Sequence, residues 1–468
     1  GYSYRKRWFI DGDKSRYYLD ESGVLQRGGW FKISNKNVNT GVVIETWYYS
    51  DAAGAVYKDG YHEIEGHKYY FDANGTLYKK RWLIKKNGAK QYVNDDGILQ
   101  ENTWFCISGV DGNRTAYTNW YYAGEDGEIV VNGWHTIDGK NYHFNAGGLM
   151  STGWVKEGDI KDIYYCGDDG ARRYGWQWIE IPTVWSEDSS VVDHYYGIYG
   201  KDAYFYFDPT SGKKKYCKSG TYQEITVDGL KYCIDEKGIV QLGWIRLIGT
   251  SPAIKGYRYY YPEKTAVDES GNQTYVQGAR LEDNRMMLAG PETIDAPDWV
   301  GMYYFSTDGE PMCSRTGQYQ IRKFHDSRYA FDRYGHAQRG LLKIDNNIYY
   351  FGDVNDEYAG MSGKCKVMEK SGEATYYFSN DGSGVTGIRD DYCYYKGKLQ
   401  KADANIKYEV FDLPGTGKRL LNASGKVMKG KTIKDGDKQV WTLASGGTIK
   451  KYGSDAVAEL VEPELEEE

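Results

Sequence analysis

Aromatic side chains are the residues of this sequence with the clearest capacity for chemistry. They make up 16% of its 468 residues and include 47 tyrosines and 14 tryptophans. An aromatic face attracts a quaternary ammonium by cation–π interaction, worth about 0.5–2 kcal/mol per contact. It also stacks against the apolar face of a sugar ring while nearby polar groups fix the orientation. The first hypothesis is therefore a set of aromatic pockets for a cation or a sugar.

Motifs for covalent, phosphoryl or metal chemistry are missing from the sequence, which has no G-x-S-x-G, no H-E-x-x-H and no glycine-rich phosphate loop after a strand. Acidic residues are numerous, but they lie mainly in turn positions such as Asp95–Gly97 and Glu125–Gly127, where side-chain oxygens shape the turn. No Cys-x-x-Cys pair occurs among the seven cysteines. We predict no catalytic residue, metal site or cofactor in this chain, and a catalytic domain elsewhere in the parent protein stays open.

The segment Gly133–Trp154 shows which local structure carries the aromatic residues. Two short runs, Trp134–Ile137 and Asn141–Phe144, flank the dipeptide Asp138-Gly139. Asp-Gly between alternating apolar residues is a strong hairpin signal, because both central positions of a type I′ turn need a positive φ. The segment is therefore predicted to be one β-hairpin followed by a connector.

The aromatic residue that opens this hairpin recurs with a period of roughly 21 residues. The openers are Trp8, Trp30, Tyr61, Trp82, Trp104, Trp134, Trp154 and Trp176. Two units are longer because of insertions at Ser34–Glu45 and Ser108–Asn119, where a longer turn costs little closure entropy. The pattern recovers at Tyr222–Trp244 and continues less regularly through later Tyr-Tyr-Phe runs.

These repeats predict an all-β fold, a solenoid of stacked β-hairpin repeats of ~20 residues with irregular insertions. Sustained apolar spacing of the helical kind is absent, so we expect little helix. Five segments are predicted: a regular hairpin-repeat array at 1–176, a repeat array with a long hairpin insertion at 177–244, an irregular insertion at 245–300, a degenerate hairpin-repeat array at 301–452, and an acidic disordered tail at 453–468.

Charge and hydropathy narrow the classes of partner. The net charge is −7, from 59 basic and 66 acidic residues, and this acidic balance disfavours nucleic acid. No run approaches the ~18 apolar residues of a membrane span. Cys166 and Cys233 stand where Phe71 and Phe144 stand in sister repeats, so we interpret both as small core residues. The start at Gly1, inside a repeat, suggests a mature product or a fragment.

The repeat resembles the cell-wall-binding repeat superfamily, which includes choline-binding modules, glucan-binding repeats of extracellular glucosyltransferases and receptor-binding repeats of clostridial toxins. The Gly-Trp openers carry the resemblance together with the cores Ile64–Phe71 and Ile137–Phe144 and the connectors Asp72–Leu77 and Asn145–Met150. It is close over about residues 1–180 and 220–245 and looser to about 450.

The resemblance implies specific aromatic sites. Choline-binding repeats build a cage from the Gly-Trp residue, the first Trp of a Trp-Tyr-Tyr strand and an aromatic residue of the next unit, often closed by Met or Leu. Only the two long units carry both tryptophans. The candidate ligand-binding residues are Trp30, Trp47 and Tyr70 in one cage, Trp104, Trp120 and Tyr142 in the other, and the openers Trp134 and Trp154. Most other units carry Lys-Tyr-Tyr-Phe or a relative of it, as in glucan-binding and toxin repeats, which favours a glycan.

The leading hypothesis is a non-catalytic extracellular module that attaches its bearer to a cell-wall or other polysaccharide, including a choline-bearing polymer, at a bacterial surface. Several weak sites on one polymer would add up through avidity. Two alternatives stay open. The chain is a structural or adhesive spacer or receptor-binding fibre shaft without small-ligand sites, or it is the accessory repeat region of a larger hydrolase, glucosyltransferase or toxin. Self-association along the array is a further expectation.

Overall fold

The computed structural model describes residues 4–157, 162–181, 200–247, 249, 254–263, 266–267, 273–292, 300–353 and 357–465. It divides into two compact units, residues 1–215 and 216–468. Within the described residues there is no α-helix, and a single 3-10 turn spans Ile254–Gly256. The all-β prediction is confirmed, whereas the division into five segments stays a prediction.

The first unit consists of consecutive antiparallel hairpins, each a two-stranded sheet formed by neighbouring strands. Its strands are β1 (Arg7–Ile10), β2 (Arg16–Leu19), β3 (Gly29–Lys36), β4 (Val43–Ser50), β5 (Gly60–Ile64), β6 (His67–Phe71), β7 (Arg81–Ile84), β8 (Lys90–Val93), β9 (Thr103–Val110), β10 (Ala116–Ala123), β11 (Gly133–Ile137), β12 (Lys140–Phe144), β13 (Gly153–Lys156), β14 (Ile163–Cys166), β15 (Gly175–Glu180) and β16 (Asp202–Phe207).

The second unit continues the hairpins and also contains one five-stranded and one three-stranded sheet among its later strands. Its strands are β17 (Tyr222–Val227), β18 (Leu230–Asp235), β19 (Gly243–Arg246), β20 (Tyr257–Tyr260), β21 (Ala266–Val267), β22 (Gln273–Tyr275), β23 (Asn284–Ala289), β24 (Val300–Phe305), β25 (Gln320–Phe324), β26 (Ser327–Phe331), β27 (Gly340–Ile344), β28 (Asn347–Phe351), β29 (Gly363–Glu369), β30 (Gly372–Phe378), β31 (Gly387–Arg389), β32 (Tyr392–Tyr395), β33 (Lys398–Leu399), β34 (Tyr408–Leu413), β35 (Gly417–Asn422), β36 (Thr432–Lys434), β37 (Val440–Leu443) and β38 (Ile449–Lys451).

The predicted turn between β11 and β12 is present. Asp138 and Gly139 have φ values of 49° and 77°, the left-handed pair that a type I′ turn requires. Acidic and amide side chains shape the connectors as expected, because Asp72 Oδ1 accepts hydrogen bonds from the backbone N–H groups of Asn74 and Thr76, each at 2.8 Å. The role of these side chains in turns is therefore confirmed at these positions.

Backbone hydrogen bonds tie each hairpin to the one before it. In the connector after β6, Leu77 N donates to Trp47 O at 2.9 Å, and in the connector after β12, Met150 N donates to Trp120 O at 2.9 Å. Each connector thus pairs with the second strand of the preceding hairpin. This arrangement places the side chains of one connector next to the aromatic strand of its neighbour, which is what builds the candidate site.

In each hairpin, alternate residues of the second strand point into the core. Phe71 and Phe144 are fully buried, and Cys166 fills the same slot with 0% exposure. Cys233 is equally buried but stands one residue before this slot, which Ile234 fills through its bridge to Val240. Burial raises the pKa of the Cys166 thiol to about 12. The interpretation of these two cysteines as small core residues is therefore confirmed, and both are free thiols.

The acidic tail differs from the prediction of disorder for 453–468, because its described part packs against the second unit. Val461 N donates to Gln400 Oε1 at 2.8 Å, and Gln400 Nε2 donates to Val461 O at 3.0 Å. The carboxylate of Glu462 accepts from Lys396 Nζ at 2.8 Å. A polar chain segment becomes ordered when its backbone finds such fixed partners.

The irregular insertion predicted at 245–300 contains short strands and the 3-10 turn in its described part. Residues 182–199 of the predicted long hairpin insertion and residues 293–299 of the predicted irregular insertion lie outside the described residues. No helix long and apolar enough to cross a membrane occurs in the described part of the chain.

Candidate functional site

One face of the long hairpin β9–β10 collects the residues of the second predicted cage. Trp104 lies opposite Tyr122 and Cys106 opposite Trp120, so these four side chains share a face by the two-residue period of a strand. The ring centroids of Trp104 and Tyr122 are 5.1 Å apart in a T-shaped contact. Two tryptophans are thus held on neighbouring strands of one hairpin, in adjacent positions.

The next hairpin, β11–β12, supplies the other side of this site. The ring centroid of Tyr142 is 4.7 Å from that of Trp104, and that of Phe144 is 5.8 Å away and stacked. Met150 is 9% exposed, and its backbone bond to Trp120 holds it beside that residue. The structure therefore packs Trp104 against Tyr142, and the strand register places Trp120 on the same face of β9–β10.

Trp120 is the exposed wall of this site. Its side chain is 43% exposed, whereas Trp104 and Tyr142 are half-buried. Among the described residues, no lysine or arginine lies over the ring of any of these three. We call the site formed by Trp104, Trp120, Tyr142 and Met150 the open groove. Its aromatic faces can take a cation or the apolar face of a sugar.

The first long hairpin, β3–β4, builds a related aromatic cluster with a different partner from the predicted one. The ring of Trp30 lies 4.9 Å from Tyr69 and 6.1 Å from Phe71. Tyr70 points to the other face of β6, where its ring is 5.0 Å from Tyr61. Successive strand residues alternate faces, so moving one position along the strand moves the side chain away from the cage. Tyr69 occupies the place predicted for Tyr70.

Trp47 completes this first cluster, but the protein's own lysines cover it. Lys32 Nζ and Lys79 Nζ lie 5.7 and 5.5 Å from the centre of the Trp47 ring. Lys32 is also held by an ion pair with Glu45, in which Nζ and Oε1 are 2.6 Å apart. Two internal cations therefore occupy the positions that a bound cation would take.

The two openers predicted as ligand-binding residues, Trp134 and Trp154, are covered in the same way. The guanidinium carbon of Arg172 lies 4.7 Å from the Trp134 ring centre, and Lys214 Nζ lies 6.0 Å from that of Trp154. Trp154 also donates from Nε1 to Glu180 O at 3.0 Å. Internal cations thus take the place of a ligand at these rings.

The covering lysines were not predicted, although the register of the hairpins identifies them. Lys32 lies opposite Trp47, as Cys106 lies opposite Trp120. Lys79 follows Leu77 by two residues, as Thr152 follows Met150. The sequence therefore replaces both lysines by uncharged residues at the second long hairpin, and this substitution leaves the open groove without an internal cation.

Two repeat families match the chain. The choline-binding repeat family matches residues 131–178, and the cell wall binding repeat family matches residues 6–25 and 59–77. These segments are cell-wall-binding repeats. The first of them contains β11 and β12, which supply Tyr142 and Met150 to the open groove.

The relatives that match this chain are much longer than it is. Glucosyltransferase-S of Streptococcus mutans serotype c is 27% identical over 55% of the chain, and Glucosyltransferase-I of Streptococcus downei is 23% identical over 77%. The matched parts are only 18% and 23% of these two enzymes. Toxin A of Clostridium novyi is 26% identical over 34% of the chain and 6% of the toxin.

Solved structures of choline-binding proteins of Streptococcus pneumoniae also match. Choline binding protein F is 19% identical, with a TM-score of 0.37, covering 65% of this chain and 91% of that protein. The choline-binding domain of CbpL is 22% identical, with a TM-score of 0.29, covering 50% and 96%. TM-scores this low do not define a shared arrangement of hairpins.

In the part of the chain that the structure describes, no group of three or more His, Cys, Asp or Glu side chains is placed to hold a metal ion. Carboxylates that the sequence places in turns bond to the turn backbone instead. Asp169, for example, accepts from Ala171 N at 3.0 Å through Oδ1.

His143, in the cell-wall-binding repeat beside the open groove, gives the fold a pH dependence. Burial lowers the pKa of its imidazole below the ordinary 6.5. Because the unfolded chain binds the proton more readily, the stabilising contribution is complete above the ordinary pKa and is lost as pH falls through the folded-state pKa. We expect the free energy of unfolding to fall as the pH drops below about 6.5, and His143→Gln to flatten this slope. Denaturant titrations at several pH values test this, and equal slopes in both proteins would contradict it.

Proposed function

We propose that this chain is a non-catalytic binding region that attaches its bearer to a cell-wall or other extracellular polysaccharide through the open groove. One observation supports this most strongly: Trp120 is 43% exposed beside Trp104 and Tyr142, with no internal cation over it among the described residues. An exposed indole ring in an aromatic groove is more typical of a ligand-binding site than of packing between hairpins. The repeats of its relatives are consistent with this assignment at a bacterial cell surface.

The ligand chemistry follows from the groove walls. A trimethylammonium group of a choline-bearing polymer would lie among Trp104, Trp120 and Tyr142. A neutral sugar would stack on Trp120 with its hydroxyl groups directed towards solvent. Either ligand binds weakly at one groove, so attachment to a polymer depends on several contacts being made together.

The remaining aromatic grooves favour a second role, that of a structural spacer. Arg16 lies 4.3 Å from the Trp8 ring centre, and the rings of Trp47 and Trp134 are covered in the same manner. Lysine and arginine stems cover apolar surface while their charges hold the rings in place. We propose that these grooves join hairpins and bind no ligand.

A fluorescence titration of the intact chain tests the proposal. Choline, a soluble α-glucan and purified cell-wall polysaccharide are added separately, and tryptophan emission is recorded. A saturable response that disappears in Trp120→Ala is expected for at least one of the three. No change in tryptophan emission with any of the three ligands would overturn the binding function. The whole array would then be a structural spacer.

Cys106 offers an independent reporter of the open groove. It is the exposed thiol of the chain and lies directly opposite Trp120. We expect Cys106 to react rapidly with a thiol reagent in the native protein, whereas Cys166 and Cys233 react only on unfolding because they are buried. A ligand in the groove should slow the reaction of Cys106, and Cys106→Ser should remove the rapid phase.

Mass spectrometry of the labelled protein identifies the modified cysteine. A rapid phase that maps to Cys106 and is insensitive to saturating ligand would place the ligand elsewhere. Rapid labelling of Cys166 in the native state would contradict the assignment of that residue to the core.

A further inference from the structure

A second groove lies on the opposite face of the short hairpins β5–β6 and β7–β8. It has a volume of about 1060 Å³ and is lined by Tyr61, Tyr70 and Tyr78 together with the first strand and turn of β7–β8. The three tyrosine rings form a continuous series, with centroids 5.0 Å apart between Tyr61 and Tyr70 and 5.1 Å apart between Tyr70 and Tyr78. We call this site the tyrosine groove.

The rim of the tyrosine groove is strongly basic, although the chain as a whole is acidic. Lys80, Arg81, Lys85 and Lys86 line it, and no acidic residue does. Lys85 is neutralised by Glu128, with Nζ and Oε1 2.6 Å apart. Lys80 has only a distant carboxylate, at 3.6 Å. The rim therefore carries a net positive charge that the nearby carboxylates do not neutralise.

Arg81 and Lys86 are the rim residues best placed to meet a ligand. Both are exposed, and neither forms an ion pair within the described residues. The guanidinium of Arg81 lies 4.5 Å from the centre of the Tyr78 ring and covers it. Tyr61, which is 42% exposed, and Tyr70 are therefore the rings left for a ligand beside this cation. A sugar ring on the tyrosines would thus bring an anionic substituent to Arg81 and Lys86.

The equivalent positions in hairpins β11–β12 and β13–β14 show that the repeat does not require Tyr70, Tyr78 or Lys85. Ser151 N donates to His143 O at 2.8 Å, as Tyr78 N donates to Tyr70 O at 2.9 Å, so Ser151 and His143 stand where the tyrosines stand. Glu157 follows Trp154 by three residues, as Lys85 follows Trp82. Hairpins β11–β12 and β13–β14 fold with serine, histidine and glutamate in place of Tyr78, Tyr70 and Lys85. The fold therefore does not require the basic aromatic surface.

We propose that the tyrosine groove binds an anionic polysaccharide, with a sugar ring on the tyrosine series and a carboxylate, sulfate or phosphate substituent held by Arg81 and Lys86. Charge complementarity supports this occupant, because the groove joins an aromatic floor to an uncompensated basic rim. The site is separate from the open groove, and its ligand class differs from choline or a neutral glucan.

Calorimetric titration of the intact chain with three probes tests the proposal. Dextran supplies sugar without charge, polyphosphate supplies charge without sugar, and dextran sulfate supplies both. Dextran sulfate should bind tightest, with an affinity that falls as salt is raised. Arg81→Ala/Lys86→Ala should weaken it roughly fivefold and flatten the salt dependence. Polygalacturonate then distinguishes a carboxylate from a sulfate substituent.

Matched variants separate specific binding at the tyrosine groove from a general effect of positive charge on dextran sulfate affinity. Lys36→Ala/Lys156→Ala removes the same charge from exposed strand positions and should leave the affinity for dextran sulfate unchanged. Tyr61→Ala removes an exposed wall and should weaken dextran sulfate more than polyphosphate. No binding of dextran sulfate, equal losses in both double variants, or no effect of Tyr61→Ala would each overturn the proposal. Because dextran is itself an α-glucan, the part of dextran sulfate binding that persists in Trp120→Ala is assigned to the tyrosine groove, so failure here and failure at the open groove are distinguishable.

Discussion

Trp120→Ala is expected to weaken ligand binding at the open groove by about thirtyfold, which corresponds to about 2 kcal/mol. The reason is that Trp120 is the exposed aromatic wall, and its loss leaves a bound cation or sugar with Trp104 and Tyr142 on one side only. The fold should tolerate the change with a loss below about 1 kcal/mol, since much of the ring already faces solvent.

Trp47→Ala is the matched control, because Trp47 occupies the same strand position in the first long hairpin. It should leave the fluorescence titration unchanged, since Lys32 and Lys79 already cover that ring. Equal losses of affinity in Trp47→Ala and Trp120→Ala would show that both hairpins bind and that the internal lysines do not block a site.

Trp134→Ala carries the largest expected cost in stability, about 3 kcal/mol. Its ring packs 5.0 Å from Tyr164 and 5.2 Å from His143, and Arg172 covers it. Removing the ring leaves a gap between two hairpins and an uncovered guanidinium. Hydrogen exchange of the β11–β14 amides should quicken about a hundredfold, because local opening becomes easier by that free energy.

Binding at the open groove should persist in Trp134→Ala under conditions where the protein remains folded. Amide exchange in β1–β4 serves as the internal reference, since each hairpin of a repeat array depends mainly on its neighbours. Unchanged protection in β11–β14 together with loss of ligand binding would contradict the structural role assigned to Trp134.

The local features of the fold were predictable because each depends on a few adjacent residues. Asp138-Gly139 specifies a turn with two positive φ values, and the alternation in Asn141–Phe144 places Phe144 in the core. The repeat period then extends this result to other hairpins. The same reasoning located Cys166 in the core, because it occupies a fixed slot of the repeat.

The contents of each groove were less predictable, because they depend on pairs of residues from different hairpins. Tyr70 was placed in the first cage instead of Tyr69, a one-residue error that reverses the face of the strand. The cover of Trp47 by Lys79 was missed because the two residues belong to successive units. Sequence spacing identifies which rings exist, whereas the register between units decides which of them are covered.

The acidic tail shows a similar limit of sequence reasoning. Its charge predicted disorder, but Leu460 and Leu465 each pack against a hydrophobic cluster of the second unit. Glu464 also bonds to the chain, because its backbone N–H donates to Glu369 Oε1 at 3.0 Å. Two partly buried leucines and a few backbone hydrogen bonds outweigh the solvation of the carboxylates. The residues that the tail contacts lie far away in the sequence, so the tail's own sequence does not reveal them.

The central claim is that internal lysines close one long-hairpin groove and that their absence opens the other. Ligand titration of two reciprocal variants tests it most directly: Cys106→Lys/Thr152→Lys, which copies the covered groove onto Trp120, and Lys32→Cys/Lys79→Thr, which uncovers Trp47. We expect the first variant to lose binding and the second to gain an additional site of similar affinity. If the first still binds as the unmodified chain does, or the second gains no site, covering lysines do not control access and the account is contradicted.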